Sequence, residues 1–288
     1  MAAAWWATSG LFVKFIASQA DVSSIALAFW RDLLTFLTLL VGVALLRPAA
    51  LRIRRDDLPR LAAMGAMLGA FHVFWNLAVL LNGAAVATIQ QAAAPAIVVV
   101  IARLVWRESL AWRKLLAIVL AFAGTVLVSG IGEQDAAPFT MVGLAVGFCL
   151  PLGYAGWTVF GKSVRGPYSP LVTLTYGFGF GALTLLPLQL FVVQPWSAPV
   201  SFWLGFAGWI AQTIIAFGAY IYGLGKLPAG VASILAMSEI AFVGLYAYFL
   251  LGERLAWTQI FGVALVGAGV LLLTPRPERG QKGEVISG

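Results

Sequence analysis

A small set of side chains could do chemistry in this 288-residue chain, and most of them stand inside long apolar stretches. Glu239 lies deep within one. A carboxylate there must be paired, hydrated or protonated, so it reads either as a ligand for a substrate ammonium or a proton, or as a group hydrogen-bonded at a helix break. His72 is the sole histidine, with Phe71, Trp75 and Asn76 around it as a cavity wall. Its ring could bond a carboxylate or change charge near neutral pH; the alternative is a neutral ring satisfied between helices. Lys14 and Arg31 are cations in the first two stretches, and an inward-facing one would suit a substrate carboxylate. Arg31 is followed by Asp32; neighbours in sequence do not share a helix face, so each is expected to pair elsewhere. Gln90 and Gln91 precede Pro95, whose missing N–H frees a backbone carbonyl. Gln212 and Tyr220 are spaced to share a face. Tyr154 and Trp157 form a candidate aromatic wall for an apolar side chain. Trp5 and Trp6 are assigned instead to the belt at the membrane edge.

The elements that must position these residues follow from composition. Hydrophobic residues make up 61% of the chain and charged ones 10%, against about 25% charged in soluble domains. The apolar runs last about twenty residues, which suits a helix crossing a bilayer and excludes the short buried strands of an α/β enzyme. Ten helices are expected near 2–20, 22–46, 60–81, 84–106, 113–131, 138–160, 170–192, 200–222, 228–251 and 257–274. Asn82-Gly83 is taken as the turn between the third and fourth. The opening MAAAWWATSG lacks a basic region and cleavage site and reads as the first span itself.

Charge sets the orientation. Arg47, Arg52, Arg54, Arg55 and Arg60 fall between spans two and three, and Arg103, Arg107, Arg113 and Lys114 flank the junction of spans four and five. Lys162, Arg165 and Lys226 follow spans six and eight, and Arg276, Arg279 and Lys282 lie in the tail. With ten spans all of these share one side, cytoplasmic by the positive-inside rule, and both termini join them. The other side carries Asp21, Glu133, Asp135, Glu253 and Arg254. The net charge of +7 is therefore a membrane signature with lipid as its partner, and calls for no nucleic acid.

A shift of 145 residues superposes Glu108-Ser109-Leu110-Ala111-Trp112 on Glu253-Arg254-Leu255-Ala256-Trp257, and Gly124 on Gly269. The matched glutamates read as helix caps or tethers. A five-span repeat has an odd number of crossings, so the second half enters the membrane in the opposite sense. The expected fold is an all-α membrane protein with ten transmembrane helices as two inverted five-helix repeats, residues 1–131 and 138–275, followed by a polar cytoplasmic tail, 276–288. Such an arrangement is frequent in secondary transporters.

On these residues the chain resembles the drug/metabolite transporter superfamily, specifically its ten-helix EamA-type members. The resemblance rests on Met237-Ser238-Glu239-Ile240-Ala241, Leu251-Gly252-Glu253-Arg254-Leu255, Gly262 and Gly267-Ala268-Gly269-Val270. The partner forms are Ala94-Pro95-Ala96, Trp106-Arg107-Glu108-Ser109-Leu110 and Gly124. Trp106-Arg107 and Ser109 depart from the usual Leu-Gly-Glu-Arg-Leu, and Ile240 stands where a proline is common. The resemblance implies export of small metabolites, often amino acids, through a central cavity lined by both halves, with the aromatic amino acid exporters as one candidate branch. Cationic drugs and phosphorylated or nucleotide compounds are the competing substrates. No metal cluster, nucleotide-binding loop or nucleophile motif is present, so no enzyme activity or cofactor is expected; an intramembrane enzyme using Glu239 and His72 as acid and base is the minor alternative. The expected setting is the bacterial inner membrane, as monomer or weak dimer, with a proton as candidate coupling ion carried by Glu239 and His72.

Overall fold

The computed structural model describes residues 1–128, 141–251 and 256–273. Glu133, Asp135, Glu253, Arg254 and the 276–288 tail lie outside the described residues, as does the side chain of Lys14. Among the described residues the chain is helical throughout, without a strand. Twelve helices follow one another: α1 (Ala2–Trp6), α2 (Ser9–Gln19), α3 (Ser24–Leu46), α4 (Leu58–Gln91), α5 (Ala94–Trp106), α6 (Trp112–Val128), α7 (Met141–Val164), α8 (Pro170–Leu185), α9 (Val200–Leu224), α10 (Ala229–Ala236), α11 (Ser238–Leu251) and α12 (Trp257–Leu273).

Among the described residues, five segments are long and apolar enough to cross a membrane: Ser24–Leu46, Arg55–Ala78, Ile89–Trp106, Pro170–Phe191 and Val200–Leu224. Shorter apolar helices, Ala229–Val243 and Trp257–Leu273, accompany them. Large apolar side chains such as Leu46, Leu104, Phe148 and Leu190 are exposed on the outside of the bundle, as expected of a surface whose solvent is lipid rather than water.

The first and ninth expected spans are broken helices. The first is interrupted at Ala7–Thr8 and the ninth at Met237. At each break a hydroxyl takes up a freed carbonyl: Thr8 Oγ1 donates to Trp5 O at 2.8 Å, and Ser238 Oγ to Leu235 O at 2.7 Å. Apolar surroundings demand such local satisfaction. The expected turn at Asn82-Gly83 is absent; α4 runs helically through it and ends at Gln91. The interruption falls at Ala92–Ala93, just before Pro95, which sits in the first turn of α5. A missing N–H and a fixed φ break a helix more forcibly than an Asn-Gly pair, which a helix tolerates for about 1 kcal/mol at the glycine.

Two bounds in the second part repeat the first at a displacement of 145 residues: Gln91 and Ala236 at the ends of α4 and α10, and Trp112 and Trp257 at the starts of α6 and α12. The interruptions correspond too, and Ala92 packs with Met237 and Ala121 in one buried cluster. Helices α6 and α12 lie backbone to backbone. A Cβ on Gly124 would come 2.6 Å from Gly262 O, one on Gly262 2.7 Å from Gly124 O, and one on Gly269 3.0 Å from Ala117 O. The order of these contacts runs antiparallel. A second close crossing pairs Gly65 and Gly69 of α4 with Gly177 and Gly181 of α8. Gly179 turns the other way, onto Phe36, so the three glycines of α8 do not form a single face.

The basic connections meet at one end of the bundle. Tyr168 OH donates to Asp57 Oδ2 at 2.8 Å and accepts from Arg54 N at 3.0 Å. Arg165 Nε reaches Ile221 O at 3.1 Å, and Lys162 Nζ reaches Leu224 O and Leu227 O, both at 2.7 Å. Glu108 Oε1 accepts from Ala229 N at 2.9 Å, and its Oε2 pairs with Lys114 at 3.3 Å. The opposite end is tied by Ser201 Oγ donating to Gln19 Oε1 at 2.6 Å and Trp30 Nε1 donating to Gln194 Oε1 at 3.0 Å.

Candidate functional site

Helices α1, α4, α7, α8 and α9 bring their aromatic side chains to one place. Trp6 lies 5.0 Å from Phe217 and 5.1 Å from Tyr220, ring centre to ring centre. Trp157 stacks on Tyr220 at 5.0 Å, and Phe71 meets Tyr154 at 5.5 Å. His72 completes the cluster against Phe217 at 6.0 Å and Phe178 at 6.3 Å. Tyr154 and Trp157 thus form the expected aromatic wall. Trp6 corrects the sequence reading: only Trp5 is surface-exposed, while Trp6 is buried in this cluster. Adjacent residues of one helix project about 100° apart, so within α1 one indole faces outward and the other faces the cluster.

Position follows from local backbone chemistry. Pro151 stands inside α7, one turn before Tyr154. It cannot donate to the carbonyl of Gly147, which opens the helix there. The Gln90 amide packs into the space where a Cβ on Gly147 would stand. Gln90 is thereby joined to α7, and Gln91 closes α4 beside it.

The buried polar atoms divide into two groups. Some are satisfied by the protein. Tyr220 OH bonds Thr158 Oγ1 at 3.0 Å, Gln212 Nε2 donates to Trp5 O at 2.5 Å, and Asn76 Nδ2 donates to Ser24 O at 2.8 Å. Gln212 and Tyr220 do share a face, toward α1, but the Gln212 amide nitrogen is spent on the backbone. Asn76 is likewise drawn to the start of α3 rather than into the cluster, and Trp75 is a half-buried packing residue on the cluster's flank. Other atoms have no well-formed hydrogen bond within the protein: Trp6 Nε1, Trp157 Nε1, His72 Nε2, and Tyr154 OH, which has the Tyr220 hydroxyl within reach but poorly placed. Leaving a donor or acceptor dry in this way costs about 1–3 kcal/mol each. Four such atoms around one cluster make a set of recognition groups lacking their counterpart.

The charges form a second layer. His72 Nδ1 meets Asp32 at 2.8 Å from Oδ1 and 3.0 Å from Oδ2. Arg31 Nε approaches the same carboxylate at 3.6 Å, and its guanidinium lies over the Trp209 ring at 4.8 Å. The expectation that Arg31 and Asp32 pair with separate partners is met for their closest contacts, yet they also pair with each other. A long arginine can reach back to a neighbour that a helical wheel places elsewhere. Glu239 opens α11 directly after the Met237 break, within electrostatic reach of Tyr154. Lys14 belongs to α2. Sequence reasoning missed Trp6, Asp32 and Thr158. The only signal for Asp32 was its charge inside an apolar stretch.

An open cleft of about 330 Å³ at the far end, among Asp21, Ser23 and Phe191–Val193, holds none of these residues. The chemistry therefore centres on the aromatic cluster.

Comparison with known proteins fits this architecture. An uncharacterized transporter of Archaeoglobus fulgidus is 26% identical over 77% of this chain and 79% of its own length. The uncharacterized inner membrane transporter YicL of Salmonella typhimurium is 26% identical over 95% of this chain and 93% of its own. A probable amino-acid metabolite efflux pump of Escherichia coli is 35% identical over 34% of this chain and 32% of its own. One solved crystal structure superposes with a TM-score of 0.78 at 18% identity, over 95% of this chain and 93% of that one, which carries the fold alone. The EamA-like transporter family model matches residues 1–130 and 141–274, and so the chain belongs to the EamA-like family of membrane transporters.

Proposed function

We propose that this transporter exports small metabolites, amino acids foremost, across the bacterial inner membrane by alternating access between two inverted five-helix repeats. The repeats are residues 1–131 and 138–275, with ten spans in all, a 276–288 tail, and both termini cytoplasmic. Support for the repeat comes from the helix bounds displaced by one constant interval and from the reciprocal glycine contacts of α6 and α12. The gathering of basic connections at one end supports the orientation.

The single observation that carries the binding site is the group of dry polar atoms among facing rings. Indole N–H groups of Trp6 and Trp157 with the Tyr154 hydroxyl suit a carboxylate. Glu239, at the helix break, suits an ammonium, and Phe71 and Phe217 suit an apolar side chain. The cluster draws on helices from both halves, so a rocking motion would open it to either side in turn. His72, Tyr220, Gln90, Gln91, Gln212, Trp75, Asn76, Lys14 and Arg31 support or flank this site.

The test is uptake by purified protein in liposomes, with a panel of labelled amino acids against protein-free liposomes at two pH values. Saturable uptake that unlabelled substrate competes away is expected. Its pH response separates proton-coupled exchange through Glu239 or His72 from movement down the substrate gradient. Flat traces from folded protein would overturn the amino acid reading and favour cationic drugs, which need only the rings and Glu239, or phosphorylated compounds.

A further inference from the structure

The contact between Asp32 and His72 has a chemical sense. A carboxylate has no proton to give when ionised, and Arg31 Nε at 3.6 Å keeps a compensating positive charge beside it. The ring nitrogen facing it, Nδ1, must then carry the hydrogen of the 3.0 Å bond to Oδ2. Arg31 and Asp32 already sum to zero charge, and the rings packed against the imidazole are those of Phe71, Phe178 and Phe217. A second buried positive charge there would have no counter-ion, which favours the neutral ring. In a neutral ring with its hydrogen on Nδ1, Nε2 is a bare acceptor. That atom is buried, has no partner, and belongs to a side chain only 3% exposed.

We infer that Asp32 is a positioning residue that fixes the tautomer of His72, so that Nε2 selects ligands presenting an N–H or O–H donor. The inference rests on reading the aromatic cluster as the binding site. The recognition atoms then differ in kind: three donors on Trp6, Trp157 and Tyr154, and one acceptor on His72. A fitting ligand is bifunctional, with an acceptor group at one end and a hydrogen-bond donor at the other. Orienting an imidazole through its second nitrogen in this way is the device by which carboxylates set ring tautomers in metal sites and catalytic triads.

The chain has one histidine, so its ring can be observed without assignment. Full-length protein labelled with ¹⁵N-histidine, purified through a histidine-free tag and placed in lipid nanodiscs, is examined by NMR at neutral pH. The expected spectrum has Nδ1 protonated and Nε2 unprotonated. Indole, which offers an N–H, is expected to move the Nε2 signal and to bind about tenfold more tightly than 1-methylindole, the worth of one hydrogen bond. In Asp32→Ala the preference falls to near unity, and Asp32→Glu restores part of it. A protonated Nε2 in the wild type, equal effects of the two indoles, or no response to indole at all would each overturn the inference without any variant having to fold. Failure of the transporter reading shows differently, as absent flux in liposomes with the tautomer unchanged.

Discussion

Two buried tyrosines in this protein have opposite surroundings. Tyr168, at the basic end, donates to Asp57 and accepts from Arg54 N. Tyr154, at the aromatic centre, is also buried, and its hydroxyl has only a poorly placed contact with Tyr220. The contrast extends to their neighbours. At the basic end Lys162, Arg165, Glu108 and Lys114 all reach carbonyls, amides or each other. At the centre two indoles and an imidazole nitrogen stay dry. Satisfied polar groups hold connections in place; unsatisfied ones raise the energy of the empty protein and lower it again when a ligand supplies the missing partner.

That contrast can be broken by substitution. The largest expected effect is at Glu108, which holds both Lys114 and the start of α10. Glu108→Ala should lower unfolding stability by about 3 kcal/mol, because it strands a half-hidden ammonium; denaturant titration in detergent would read it. A loss near zero would mean that the basic end is not a structural clamp. Next comes the tyrosine pair. Tyr168→Phe should cost about 1 kcal/mol, while Tyr154→Phe should be neutral or stabilising, since it removes a hydroxyl without a well-formed bond; Trp157→Phe also empties ring volume at a fully buried site and should be destabilising. The same two central variants should slow saturable flux about tenfold. Equal stability losses at Tyr168 and Tyr154 would erase the distinction.

A smaller change concerns Arg107. It closes α5 with φ at +54°, a left-handed position that disfavours any side chain. Arg107→Gly should raise stability by about 1 kcal/mol, seen as a higher unfolding midpoint. The smallest effect is one of pH. Burial, with Asp57 close by, pushes the Tyr168 phenol above its ordinary value. A group whose folded-state value is raised contributes fully below the unfolded value, about pH 10, and its contribution is lost as pH rises through the folded one. The titration of Tyr168 should therefore leave midpoints unchanged near neutral pH and lower them only in strong alkali, and Tyr168→Phe should remove that component of the fall.

Much of the scaffold was legible because hydrophobic length and glycine placement are local properties. The start of α12 is announced by the same Ala-Trp pair that opens α6, and the Tyr154–Trp157 wall by helical spacing. Arg107 corresponds to Gly252 at the 145-residue displacement, and a left-handed cap is a position that glycine adopts without strain. The unread parts depended on three-dimensional closure. Nothing in the order of residues joins Asp32 to His72, forty positions apart; two helices had to pack before the pair existed. Trp6 was placed at the membrane edge together with Trp5, and only packing against α7 and α9 separates the two. The Asn82-Gly83 signal was outweighed by Pro95, a competition that counting turn residues does not weigh.

The seam between α6 and α12 also sets a schedule. At roughly 5–20 residues per second of synthesis, α6 is made several seconds to half a minute before the helix that fills its glycine groove. Through that interval Gly124 can face only lipid or another incomplete helix. Assembly of the first half is therefore finished by the last helix made. A chain cut short before Trp257 would lack the partner for Gly124, and a nascent chain at that stage is where insertion factors and quality control would meet this protein.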